Sequence, residues 1–208
     1  MRNRILAPIE LQRVLEAAQG LPEPHSSVLQ LCLFTGQRLN EVAGITTSEL
    51  DLNRDIWTLP AARNKARRIH RVPLSPAARK LVAAAAEGKG RDAPVFGQIN
   101  SGTLKRRLRR ALERRLQRAD PACLPGAMES FHVHDLRRTC ANWLVSNDVP
   151  FGVVEQALNH ESMRGMKTFS VDNRLDAVRT ALTKWADWLT GLTEGPNAWP
   201  GGREPAAG

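Results

Sequence analysis

Between Val28 and Phe34 the chain reads Val-Leu-Gln-Leu-Cys-Leu-Phe, with a single polar side chain, and the run is then cut at Thr35-Gly36. A helix of that composition is apolar nearly all round. It has no face to offer water and belongs at the centre of a packed domain. Ser26 or Ser27 could cap its start. The other segments must be arranged around this helix, and most of them read as helices too.

Leu11, Val14, Leu15 and Ala18 recur at helical spacing between Leu6 and Gly20. Leu21 to His25 is a Pro-rich turn. A short helix, Arg38 to Ala43, ends at Gly44 and holds Arg38 at its start. Two strands are expected, Asp55 to Leu59 and Ile69 to Leu74, joined by the basic connection Ala61 to Arg68. Ser75-Pro76 opens a helix running to Gly88, with serine as cap and proline at the first helical position. After a short Val95-Phe96 segment comes Ser101 to Arg118, with Leu104, Leu108, Leu112 and Leu116 on one face. Pro121 to Ser130 reads as a loop. Further helices start near His134 and at Pro150, stopping at Asn147-Asp148 and Asn159-His160. In the last helix Leu175, Val178, Leu182, Trp185 and Leu189 share a face, which packs at home or into a neighbouring subunit. Residues 191–208 are Gly/Pro-rich with little to bury and read as a disordered tail. The expected fold is mainly α with a small antiparallel β-sheet (α+β), forming one domain over residues 1–190.

Charge narrows the partner. The net charge is +9 and 24 of the 30 basic residues are arginine, which suits two-pronged contact with phosphate. A polyanion is expected, nucleic acid ahead of a membrane surface. The helix at 101–118 carries Lys105, Arg106, Arg107, Arg109, Arg110, Arg114, Arg115 and Arg118 around its leucines, relieved only by Glu113. A merely solvated face would mix signs, so Lys105, Arg106, Arg109 and Arg110 are candidates for DNA contact. Arg63, in the connection between the strands, is another. No apolar run is long enough to cross a membrane. The three cysteines lack C-x-x-C spacing, which fits a reducing cytoplasm and argues against zinc.

Four pieces carry the chemistry: Thr35-Gly36-Gln37-Arg38 with Glu41; Lys65 ahead of Arg71-Val72-Pro73-Leu74-Ser75; His134-Asp135-Leu136-Arg137-Arg138-Thr139; and Leu158-Asn159-His160. Each alone is weak, but in this order they resemble the catalytic domain of the tyrosine recombinases, of the phage-integrase kind. The similarity spans roughly residues 5–190, with Asn159 where the family usually has glycine. The family's separate N-terminal DNA-clamping domain has no counterpart in these residues.

The resemblance implies that Arg38 and Arg137 clamp the non-bridging oxygens of a DNA phosphate in the transition state. Lys65 would protonate the departing 5′-oxygen, His134 would accept or donate a proton near the nucleophile, and His160 would donate a hydrogen bond to the phosphate. Glu41 would orient an arginine. The bond energy is kept in a 3′-phosphotyrosyl intermediate, so neither cofactor nor metal is implied. Double-stranded DNA is the implied partner, with self-association on it through the helix at 175–190.

One departure bears on activity. The family's nucleophile lies about nine residues past the last histidine, and that position is Phe169 in a chain with no tyrosine at all. Phenylalanine keeps the ring and lacks the attacking oxygen, so the site is expected to be cleavage-dead as written. The completeness of the other motifs favours a deliberate Tyr→Phe change over decay, and the adjacent Ser170, with no base to activate it, is a poor substitute. Three alternatives stay open: a non-cutting DNA-binding regulator derived from an integrase, relaxation only as in type IB topoisomerases, and a metal-dependent nuclease using His132-x-His134.

Overall fold

In the computed structural model, residues 4–64, 66–118, 130–159 and 171–194 are described. The chain folds as eight helices and one three-stranded sheet among those residues. The apolar run forms α2 (His25–Thr35), in which every residue except His25 and Gln30 is buried. Around it pack α1 (Pro8–Gln19), α3 (Leu39–Ala43), α4 (Pro76–Ala86), α6 (Val133–Ser146) and α8 (Val171–Glu194). α5 (Ser101–Arg118) lies against α1, and α7 (Phe151–Ala157) lies against α6 and α8.

The cap of α2 differs from expectation. The helix begins one residue before Ser26, with Pro24 at the N-cap and no capping side chain there. Ser26 and Ser27 are buried inside the first turn. The Glu23 carboxylate does the work instead, accepting the Ser27 backbone N–H at 3.3 Å and its hydroxyl at 2.9 Å. A carboxylate near the free N–H groups also meets the positive end of the helix dipole. The cap on α4 is as read, with the Ala78 N–H donating to Ser75 Oγ.

The sheet is antiparallel in the order β1 (Leu50–Asp51), β2 (Ile56–Leu59), β3 (His70–Pro73), with Trp57 opposite Val72 and Leu59 opposite His70. β1 was not expected. At two residues it is too short to show alternation.

α8 is longer at both ends than the stripe from Leu175 to Leu189 suggested, and its last four residues overlap the expected tail. Its apolar face is buried within the chain: Val178, Leu182, Trp185 and Leu189 are at most 1% exposed. Trp143, Trp185 and Trp188 form a cluster with ring centroids 5.2–5.3 Å apart. The Trp185 indole donates to the Leu33 carbonyl of α2 at 2.7 Å, so the last helix is hydrogen-bonded to the central one. The expected tail beyond Glu194 lies outside the described residues, as do Lys65, His160, Phe169 and Ser170. No helix among the described residues is long and apolar enough to cross a membrane.

Candidate active site

The site is built outward from the end of α2. Thr35 returns its hydroxyl to the Leu31 carbonyl at 2.6 Å, finishing the helix. Gly36 then turns with φ +63°, and a Cβ there would lie 2.8 Å from Leu158 Cδ2 and 3.1 Å from Cys140 Sγ. Glycine is required twice over, for the left-handed backbone and for the close approach of α6 and the turn after α7. Through that approach, Arg137 donates Nη1 to the Gly36 carbonyl at 2.9 Å.

Gln37 extends the junction. Buried at 2% exposure, it donates Nε2 to the carbonyls of Thr35 at 2.9 Å and Ala157 at 2.8 Å. Its Oε1 faces Arg137 Nη1 at 3.5 Å. Arg38 follows as the N-cap of α3. Glu41 reaches back to it, accepting the Arg38 backbone N–H at 3.3 Å and Nη1 at 3.1 Å. Glu41 is 5% exposed, so this carboxylate aims the guanidinium from inside.

Arg137 is the unusual member. Only 3% of it is exposed, and its Nη2 has no hydrogen-bond partner among the described residues. Burial first and the neighbouring Arg38 charge second push its pKa down to about 10, which still leaves it cationic at neutral pH. A buried cationic donor without an acceptor is costly, and a phosphate oxygen would relieve it. His134, on the first turn of α6, is exposed. Its pKa is lowered by partial burial and then by Arg137, Arg138 and Arg38, against a smaller upward pull from Asp135. It is therefore a neutral imidazole at pH 7, able to accept a proton.

The connection carrying Lys65 is closed on both sides of that residue. Asn64, buried, accepts the Ala66 N–H at 2.9 Å and donates to the Arg68 carbonyl at 2.6 Å. Arg68 then donates Nε to Asn159 Oδ1 at 2.8 Å, tying the hairpin to the turn ahead of His160. Asn159 has φ +50°, which explains why glycine suits that position and why asparagine can replace it.

Arg63 is placed differently from the DNA contact expected of it. Its Nε and Nη2 grip the Glu49 carboxylate at 2.7 and 2.6 Å, and it also approaches the Glu41 carbonyl at 3.4 Å. Glu49 accepts the Trp57 indole N–H as well, at 2.9 Å. The guanidinium is committed to fastening α3 to the sheet, and Gly44 makes room for it, since a Cβ there would lie 2.4 Å from Arg63 Nη1.

Lys105, Arg106, Arg109 and Arg110 project outward from α5 as expected, above buried Leu104, Leu108 and Leu112. Leu116 is only half-buried. Among the described residues the metal-nuclease arrangement does not form. Asp135 is buried and spends its oxygens on the His132 N–H at 2.7 Å and on Arg138 at 3.4 Å. Among the described residues, no group of three or more His, Cys, Asp or Glu could hold a metal ion.

Two members went unread in the sequence, Gln37 and His70. His70 sits on β3, 6% exposed, within electrostatic reach of Arg137, Arg68 and Arg38. Alternation along β3 puts it on the buried face with Val72 while Arg71 is exposed, so its burial was available to a period-two pattern.

Comparison with known proteins bears on the family and the fold. The phage integrase family matches residues 4–172. The integrase of Salmonella phage P22 is 27% identical over 173 residues, covering 81% of this chain and 44% of that protein. The chain spans about half the length of the curated relatives it matches. Among solved structures, a Tyr→Phe form of the Tn1549 transposon integrase in complex with transposon right-end DNA superposes with a TM-score of 0.56 at 15% identity, covering 85% of this chain and 62% of that one. A lambda integrase dimer bound to a core site gives 0.58 at 17% identity, covering 82% and 63%. Likeness at that identity shows a shared fold. By its sequence match and by its fold, that of a tyrosine recombinase catalytic domain, the chain belongs to the phage integrase family.

Proposed function

We propose that residues 1–190 are the DNA-breaking and rejoining domain of a site-specific tyrosine recombinase, held short of cleavage by Phe169. The supporting observation is the pairing of Arg38 with Arg137, whose Nη2 is buried and unpartnered among the described residues. Two cations brought together, with Glu41 bonded to Arg38 and Nη2 of Arg137 left open, favour a doubly charged oxyanion, here the phosphorane-like transition state. Arg38 and Arg137 clamp its non-bridging oxygens. With tyrosine at position 169, the phenolic oxygen attacks phosphorus and passes its proton to His134. The 5′-oxygen leaves with a proton from Lys65, and His160 donates to the phosphate. Reversal by another 5′-hydroxyl needs no cofactor.

Double-stranded DNA is the substrate, and Lys105, Arg106, Arg109 and Arg110 of α5 contact its phosphates. Arg63 is left out of that set. The protein works in the cytoplasm and self-associates on DNA. The helix at 175–190 takes part by its outer face, its apolar face being occupied at home. The DNA-bound integrase neighbours support these partners by analogy.

The test is Phe169→Tyr on a nicked suicide duplex. Covalent protein–DNA adduct without added metal supports the proposal, and unchanged failure to form adduct over a range of pH and salt rejects it. A non-cutting DNA-binding regulator is the second reading, favoured by the absence of any tyrosine, and that failure would select it.

A further inference from the structure

A helix leaves its last carbonyls without partners of its own, and each needs a donor from elsewhere. Thr35 is the last residue of α2 and Ala157 the last of α7. One side-chain amide serves both. Gln37 Nε2 donates to the Thr35 carbonyl at 2.9 Å and to the Ala157 carbonyl at 2.8 Å. An amide nitrogen carries two hydrogens, so its donor capacity is filled. This pairing fixes which way the amide faces, because the reverse orientation would set Oε1 against two carbonyl oxygens. Oε1 is left to face Arg137 Nη1 at 3.5 Å.

Arg137 Nη1 is thereby held from two sides, by this oxygen and by the Gly36 carbonyl at 2.9 Å. The two acceptors belong to neighbouring residues and move together. Nη2, the other arm of the same planar group, has no partner among the described residues. A rigid fork with one arm clamped has its other arm aimed. Arg38 follows Gln37 directly in the chain and starts α3. Residue 37 therefore anchors one arginine of the pair through the backbone and the other through its side chain, from a position only 2% exposed.

We propose that Gln37 is a positioning residue of the strand-exchange site, its amide tying the ends of α2 and α7 together and aiming the Arg137 fork at the phosphate. It touches no DNA. The inference rests on the function proposed above, and its test separates the two.

In a Phe169→Tyr background, Gln37→Met fills similar space without the amide. It is expected to form adduct on the suicide duplex about 10- to 100-fold more slowly, as misplacement by an ångström or so costs. DNA affinity should stay within about threefold of the parent. Lysine in place of Arg137 has no fork to aim, so adding Gln37→Met to Arg137→Lys should slow the reaction by less than about twofold further. The suicide duplex traps its product, so slow rates accumulate to a measurable yield. Equal rates for Gln37→Met and the parent overturn the proposal. So does a methionine penalty of the same size with and without Arg137→Lys, the outcome of a merely structural role. Should Gln37→Met not fold, Gln37→Asn, too short to span both carbonyls and the guanidinium, replaces it in the cycle.

Nitrogen-15 NMR of the unaltered chain decides the matter apart from activity. Gln37 amide protons protected from solvent exchange, and an Arg137 guanidinium signal that moves on Gln37→Met, support the proposal. Amide protons exchanging as freely as those of a surface glutamine, or an unmoved Arg137 signal, overturn it. If Phe169→Tyr alone forms no adduct, the strand-exchange reading falls and the NMR result stands as the test of what Gln37 holds.

Discussion

Arg137 and Gly36, 101 positions apart, are joined by a 2.9 Å hydrogen bond from guanidinium to backbone carbonyl. One prong of the fork is used to fix the side chain and another, Nη2, is left without a protein acceptor among the described residues. Lysine could not divide its labour this way, because an ammonium offers no rigid fork. The bond also depends on the glycine, whose missing side chain is what lets α6 come close.

Gly36→Ala is therefore expected to be severely destabilising. The left-handed backbone costs about 1 kcal/mol and the overlap with Leu158 about 1–3 more. Urea unfolding should show a loss of that size, and a midpoint shifted by less than about 1 kcal/mol would mean that the turn can relax.

Two arginines should separate cleanly. Arg110→Ala, on the exposed face of α5, should reduce the slope of log affinity against log salt by about one while leaving stability within about 0.5 kcal/mol. Arg63→Ala should leave the slope alone and cost about 1–3 kcal/mol, because it strands the Glu49 carboxylate, 8% exposed. The opposite pattern would return Arg63 to the DNA surface.

His70 carries a pH signature. Burial first and the Arg137 charge second push its pKa down to about 3, against an ordinary value near 6.5 when unfolded. Between those values the unfolded chain binds the extra proton, so stability is fully present above about pH 6.5 and is lost as pH falls towards 3. From pH 6.5 to 5 the loss is about 2 kcal/mol. His70→Asn should flatten this part of the urea-midpoint profile, and a profile unchanged from the parent would remove His70 as its source.

Ending the chain before Leu175 should abolish cooperative unfolding altogether, since the buried face of α8 and the tryptophan cluster go with it. Circular dichroism melts check this. A truncated chain that still melts sharply would show that the first seven helices hold without the eighth.

Much of this was legible in the sequence, for physical reasons that differ from element to element. α2 announced itself because an all-round apolar helix has only one place to go. Arg38, Glu41 and Arg137 were legible only as members of an ordered motif set, since nothing local distinguishes a buried arginine from a solvated one. Arg63 shows the limit. Its charge reads as a DNA contact, yet it is neutralised by Glu49, 14 positions earlier, and pairing at that range leaves no periodic trace. Ser26 and Ser27 were eligible caps that lost to a carboxylate one turn upstream. Asn159 and Gln37 are polar groups whose burial depends on which helix end arrives beside them, and that is decided by the tertiary fold.

The bond from Trp185 to the Leu33 carbonyl reaches further than its one hydrogen. Leu33 stands a single turn ahead of the glycine bend, so a pull on the final helix is transmitted along that turn to the carbonyl gripping Arg137. Any force on the outer side of α8 would load the same linkage and reach the Arg137 guanidinium without a separate relay.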